Sequence, residues 1–269
     1  MAPARHAVPA DLLVDAVRRD AASPRLTHYD DATGERTELS GATLANWVAK
    51  SANLFQDEFD IGPGSRVAVA LPVHWQTAAV LLGIWSCGAA VVDTVPEDET
   101  SLAGIDLVLA EQGRLDALSD AGAPDVLGLS LHPLGLGMVG YTGEARDFAL
   151  EVRAHGDHFA PHEQVDPDAP GLQVGGLELS LGGLVDTARA LADRLGVRAA
   201  DRLLVGERAA TEAGPVTWLL APLAAGASVV LCRHAASGQL KHRAGTEKVT
   251  ATLGLELDGI RELGRPAAS

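Results

Sequence analysis

An α/β fold built from two sheet-and-helix halves is predicted by three features of the chain. Short aliphatic, β-branched runs alternate with helix-period segments along most of its length. Glycine is abundant, 29 of 269 residues, and aromatics make up only 4%, which suits tight strand–helix turns around a core of small aliphatics. Hydrophobic residues reach 47%, enough to bury a sizeable core and too many for a disordered chain.

Pro9 is placed to open a first helix, with Leu12, Leu13, Ala16 and Val17 on one face. The runs 25–31 and 35–39 flank an Asp-Ala-Thr-Gly turn and read as a β-hairpin. Ser40 is a plausible N-cap for a helix over about 41–58, striped by Leu44, Trp47, Val48 and Phe55. After the Gly62-Pro63-Gly64 turn, 66–71 reads as a strand covered on both faces. Residues 74–87 are apolar nearly all round and predict an interior helix, ended by Gly88. Strands at 89–92, 105–110 and 126–130, with a helix near 112–120, continue the alternation and imply parallel pairing.

Residues 131–147 are Gly-rich and carry no clear period. The stretch 155–170, with three histidines and three prolines, reads as a linker. A second run follows: a strand at 172–174, a helix over 180–195, a strand at 203–205, a helix at 215–225, a strand at 229–231 and one more near 249–255. The 180–195 helix has Leu181, Leu184, Val185, Ala188, Leu191 and Leu195 on one face, the pattern of a core element. The expected halves are 1–165 and 166–269, packed as one globular unit.

The net charge of −15 is uneven: residues 1–170 hold 26 acids against 10 bases, and 171–269 hold 10 against 11. An acidic surface repels phosphate backbones, so neither nucleic-acid nor anionic-membrane binding is expected. Cys87 and Cys232 lie in apolar sequence, match no CxxC or zinc spacing, and read as buried, reduced thiols. With no signal-like run at the N-terminus and no stretch of about 20 apolar residues, the expected compartment is the cytoplasm.

The segments 34–55 (GERTELSGATLANWVAKSANLF) and 61–97 (IGPGSRVAVALPVHWQTAAVLLGIWSCGAAVVDTVPE), followed by ARALADRLGVRAADRLLVGERA and WLLAPLAAGASVVLCRH, carry a resemblance over most of residues 9–235. In this order they resemble the opening of adenylate-forming (AMP-binding) enzymes, the acyl- and aryl-CoA ligases and peptide-synthetase adenylation domains. Gly64-Ser65-Arg66-Val67 and Gly88-Ala89-Ala90-Val91 stand at two of the family's strand signatures. The resemblance implies a truncated N-terminal domain of that fold.

It also implies a Ser/Thr/Gly-rich phosphate loop ending in Pro-Lys-Gly. Such loops cradle phosphate because glycine lets backbone N–H groups converge and lysine adds charge. This chain reads PGLQVGGLELSLGGLVDTARAL there, and no lysine lies between Lys50 and Lys241. Gly175, Gly176, Ser180, Gly182 and Gly183 are a remnant of that position. They either form turns at a strand end and helix start or retain anion binding at the helix N-terminus. The family's aromatic-Gly-x-Thr-Glu segment, its ribose-binding Asp and its C-terminal Lys-bearing domain are not found in these 269 residues. The loop after the strand at 203–205, often holding a His in the family, is GERAATEAGP. The chain resembles a bacterial group within the superfamily in which the phosphate loop is deleted.

His155, His158 and His162, with Asp157 and Glu163, have metal-binding chemistry, but Gly156 and Pro161 break any helix that would align them. A solvated loop is the simpler reading, and no metal site is expected. Gly-x-Ser-x-Gly and Walker patterns are absent. Lys241-His242-Arg243 reads as a solvated basic patch. The resulting expectation is a non-catalytic AMP-binding-like protein, with no catalytic residues and no cofactor, that binds a protein partner or a small molecule. A ligase-type enzyme needing a helper chain and a structural scaffold stand as the alternatives.

Overall fold

The computed structural model describes residues 8–92, 102–120 and 125–264. In chain order its elements are α1 (Pro9–Arg19), β1 (Pro24–Asp30), β2 (Glu35–Ser40), α2 (Gly41–Phe59), β3 (Arg66–Ala70), α3 (Trp75–Ser86) and β4 (Ala90–Val92). Then come β5 (Leu107–Glu111), α4 (Leu115–Asp120), β6 (Val126–Leu129), β7 (Arg146–Asp147) and α5 (Phe148–Glu151). The remainder comprises β8 (Pro170–Val174), β9 (Leu177–Ser180), α6 (Leu181–Leu195), β10 (Arg202–Gly206), α7 (Glu207–Pro215), α8 (Ala221–Ala225), β11 (Ser228–Arg233), α9 (Ser237–Thr246), β12 (Ala251–Leu253) and β13 (Arg261–Glu262).

Two sheets organise these elements, as the α/β alternation predicts. One has seven strands in the order β7-β6-β5-β3-β4-β8-β9; the other has six, β13-β12-β10-β11-β1-β2. Pairing is parallel except in the two hairpins, β1–β2 and β8–β9. The chain does not divide at 165/166. β8 and β9 join the first sheet because β8 pairs with β4, Val91 opposite Leu172. The early hairpin joins the second sheet because β1 pairs with β11, Leu26 opposite Val229. Two compact units therefore interleave in sequence: unit 1 holds 45–72 and 76–184, and unit 2 holds 11–44, 73–75 and 185 onward.

In unit 1, α3 is buried from Trp75's neighbour onward through Trp85, as an all-round apolar helix must be. Trp85 is wholly enclosed, and its indole N–H donates to the Gly171 carbonyl at 2.7 Å. Ala68, Val92, Ile105, Val108, Leu115 and Leu118 form a compact cluster around β3–β5 and α4. In unit 2, Leu204, Val230, Cys232, Leu240 and Ala244 form the corresponding cluster, so α9, missed in the sequence, contributes to the core. Ser40 caps α2 as expected, accepting from the Thr43 N–H at 3.1 Å.

The stripe of α6 is shifted from the expected one. Leu181, Leu184, Val185, Ala188 and Ala192 are buried, whereas Leu191 and Leu195 are half-exposed. Leu184→Ala is accordingly expected to cost about 2–5 kcal/mol, the usual range for an enclosed Leu, and Leu191→Ala clearly less. Denaturant titration of the two variants checks the order.

The 215–225 helix is present and follows a kink: Gly214 takes φ 71° and ψ 171°, outside the helical region, after which a wider-turned π-helical stretch over Val216–Leu220 runs into α8. The Lys241-His242-Arg243 patch is only partly solvated. Arg243 is nearly enclosed, pairs with Asp31 at 2.6 Å and lies 3.9 Å over the Tyr29 ring. Among the described residues no helix is long and apolar enough to cross a membrane.

Candidate functional site

The segment expected at the phosphate-loop position, 175–183, lies in unit 1. Gly175 and Gly176, with φ of 54° and 83°, form the two-residue tip of the β8–β9 hairpin, closed by Val174 opposite Leu177. Two consecutive positive-φ residues are what a type I′ hairpin requires, and glycine supplies them without steric cost. The turn is exposed. The strand β9 that follows it escaped sequence reading because LELS is short and flanked by glycines.

The N-terminus of α6 is closed on its own chain. Leu181 N–H donates to the Ala169 carbonyl at 2.9 Å and Gly182 N–H to the Pro167 carbonyl at 2.7 Å. Gly183 N–H donates to Ser180 Oγ at 3.1 Å. A helix binds anions through free first-turn amides. Here those three amides are already taken, and an added Cβ at Gly182 would stand 3.2 Å from the Pro167 carbonyl. Ser180 is a helix cap, so Ser180→Ala is expected to cost about 1 kcal/mol of stability. Calorimetric melting measures that cost. A loss of nucleotide affinity in the same variant would contradict the capping role.

The three histidines of 155–162 do not converge. His155 Nδ1 and His162 Nε2 approach different oxygens of Asp57 at 3.8 and 3.7 Å, while the fully exposed His158 faces Asp157 at 3.9 Å. The segment is instead pinned through its backbone. Lys50 donates to the His155 carbonyl, and the Asn53 amide donates to Gly156 and His158 carbonyls at 2.9 Å each.

A second polar centre lies in unit 2 at the C-terminal ends of the parallel strands β1, β10 and β11, the edge where ligands bind in open α/β sheets. Asp30 ends β1, Arg233 ends β11, and Glu207 opens α7 directly after β10. Arg233 pairs with Glu207 at 2.9 Å and Asp30 at 3.6 Å, and His234 Nδ1 lies 2.7 Å from Asp30. Burial works to raise Asp30, but hydrogen bonds from His234 and the Ala32 amide prevail and hold its carboxyl below the usual range.

His28 and His74 sit beside this cluster. Both are buried, with ring centroids 4.3 Å apart and an interplanar angle of 74°. Burial, aided by the Arg233 charge, pushes His28 down to about 4. Burial, with the charges of His28 and Arg233, pushes His74 well below the usual imidazole value. Both rings are therefore neutral near pH 7. Neither ring nitrogen of His28 has a hydrogen-bond partner. A buried unsatisfied polar atom costs about 1–3 kcal/mol, so the position is not explained by packing alone. Glu35, at the start of β2, completes a group with the two histidines. It is the one such group of three or more His, Cys, Asp or Glu among the described residues. The sequence reading missed it. The alternation of Leu26, His28 and Asp30 along β1 was legible, but His74 arrives from 46 positions farther along the chain.

No family model matches the chain. Its fold is that of the N-terminal part of adenylate-forming ligases. It resembles the anthranilate CoA ligase AuaEII, solved with anthranoyl-AMP, at a TM-score of 0.74 and 16% identity, covering 92% of this chain and 49% of that one. It resembles Mycobacterium smegmatis MbtA at 0.73 and 21%, covering 93% and 48%. It resembles the Brucella canis acyl-CoA synthetase at 0.71 and 17%, covering 90% and 47%. The chain thus spans about half the length of these solved structures. A relative from Mycobacterium tuberculosis (strain ATCC 25618 / H37Rv), a TIGR03089 family protein, is 44% identical over 241 residues, covering 88% of this chain and 94% of its own. By that match over nearly its whole length, the chain belongs to the TIGR03089 family.

Proposed function

We propose that this protein keeps the ligase fold without its adenylating chemistry and acts by binding a protein partner or a small molecule. One observation carries this reading: the first-turn amides of α6 are hydrogen-bonded to Ala169, Pro167 and Ser180. Adenylation has to stabilise charge developing on a phosphate with cations and preoriented donors. At this position the donors are spent and the Gly175-Gly176 turn brings no cation. Exposed Leu134, Leu136, Val139 and Leu150 in unit 1 are compatible with a protein partner. The buried free thiols Cys87 and Cys232, raised by burial to about 12 and about 11, suit a reducing compartment such as the cytoplasm.

Carboxylate-dependent ATP–pyrophosphate exchange by the purified chain tests the proposal. The expected result is no exchange with aliphatic or aromatic carboxylates. Exchange that disappears on substitution within 174–183 would overturn the proposal in favour of a carboxylate-activating ligase.

A further inference from the structure

We propose that His28, Glu35 and His74 form a binding site for a divalent transition-metal ion of the zinc class. The proposal does not depend on whether the chain adenylates. The sheet register builds the first half of the site. Asp30 pairs with Glu35 and His28 with Thr37 across the β1–β2 hairpin, so His28 and Glu35 lie diagonally on one face of the sheet. His74 comes from the residue just before α3 and packs edge-on against His28. One ligand atom from each of the three residues falls within 4.8 Å of the other two, a spacing that modest side-chain rotation closes around a common ion.

The chemistry of the donors selects the class of ion. Two neutral imidazoles and a carboxylate suit borderline ions such as Zn²⁺, and three protein donors leave a fourth position for water or a ligand. The surrounding charge is permissive. Arg233 is the cation that acts on both rings, and it is answered by Asp30 and Glu207, with Glu35 adding a further negative charge. His28 and His74 are enclosed, while Glu35 is partly exposed and gives the ion a route from solvent.

A buried histidine pair held only by packing normally gives its N–H to a carbonyl or carboxylate. His28, at 0% exposure, gives neither of its nitrogens to any such group. That orphaned ring separates this cluster from the histidines of 155–162, which already have Asp57 and Asp157 beside them.

The test uses the full chain without an affinity tag, stripped with a chelator and dialysed. Zn²⁺ is titrated against a chromophoric competitor, and Co²⁺ serves as an absorption probe of coordination. Expected are one tight equivalent of Zn²⁺, a rise in melting temperature and Co²⁺ ligand-field bands of a low-coordinate site. Glu35→Gln, at a partly exposed strand start, removes a ligand and should weaken affinity by at least the roughly ten- to hundredfold that loss of even an outer-shell partner costs in metal sites. His28→Gln should abolish binding, and the triple change His155→Gln, His158→Gln, His162→Gln should leave it unchanged. Absence of saturable binding overturns the proposal. So does wild-type affinity in Glu35→Gln, or loss of binding in the loop triple variant.

Discussion

Glu247→Ala is expected to destabilise the protein by about 3–5 kcal/mol, the range for removing one partner of a buried ion pair. Glu247 is 8% exposed and accepts from Tyr29 Oη at 2.5 Å, from Arg36 Nε at 3.1 Å and from Arg202. Arg202 also donates to Thr27 at 2.9 Å, and Arg36 to Glu38 at 2.7 Å. Removing the carboxylate leaves two guanidinium groups crowded around a cavity, with the Tyr29 hydroxyl losing its acceptor. Urea denaturation at pH 7 measures the effect, and a loss below about 1 kcal/mol would show that solvent already screens the network.

The same group gives a pH dependence with a defined sign. Burial alone would raise Glu247, but hydrogen bonds from Tyr29, Arg202 and Arg36 outweigh it and hold the carboxyl at about 2, against 4.5 for a free glutamate. The folded state therefore binds its proton less readily than the unfolded chain. The stabilisation is fully present above pH 4.5 and is lost as pH falls towards 2; a shift of this size corresponds to about 3 kcal/mol. Wild type should lose stability steeply across that window and Glu247→Ala much less steeply. Parallel curves for the two proteins would contradict the assignment.

Trp85→Ala is the second large effect, expected to cost about 3–5 kcal/mol. The ring is 0% exposed in the last turn of α3, a helix buried on all sides, so truncation opens a cavity that packed neighbours cannot readily fill. Trp85→Phe keeps most of the volume but leaves the Gly171 carbonyl without its 2.7 Å donor, a loss of about 1–3 kcal/mol. Urea titrations of the pair separate the cavity from the hydrogen bond. Equal losses in both would assign the whole effect to the hydrogen bond.

Much of this architecture is legible in the sequence because local and tertiary signals agree. The all-round apolar α3, the Ser40 cap and the Asp-Ala-Thr-Gly turn each specify their element through short-range chemistry. The division of the chain is not legible, because it rests on β4–β8 and β1–β11 pairing between residues far apart in sequence. On α6 the helical period was right, yet Ala192 rather than Leu191 faces the core. Residue size pointed to the larger side chain, but the helix's orientation decides. In the 175–183 segment, the glycines announced turns, and Gly175-Gly176 form one. That Pro167 and Ala169 would supply acceptors to α6 could not be read from residue types, since backbone carbonyls carry no sequence signature. The His28–Glu35–His74 group was hidden for a related reason: a hairpin register places two members and a distant helix start places the third.

Nucleotide titration tests the central claim most directly, because it asks whether the closed N-terminus of α6 can still hold a phosphate. A site occupied at 100 times its dissociation constant adds about 2.7 kcal/mol of stability. Melting of the full chain in the presence of millimolar ATP or AMP with Mg²⁺, together with calorimetric titration, should show no shift and no saturable heat. A saturable, stabilising interaction that is lost on substitution of Gly175, Gly176 or Gly182 would mean that the amides now bonded to Pro167, Ala169 and Ser180 open to ligand, and the non-adenylating account would fall.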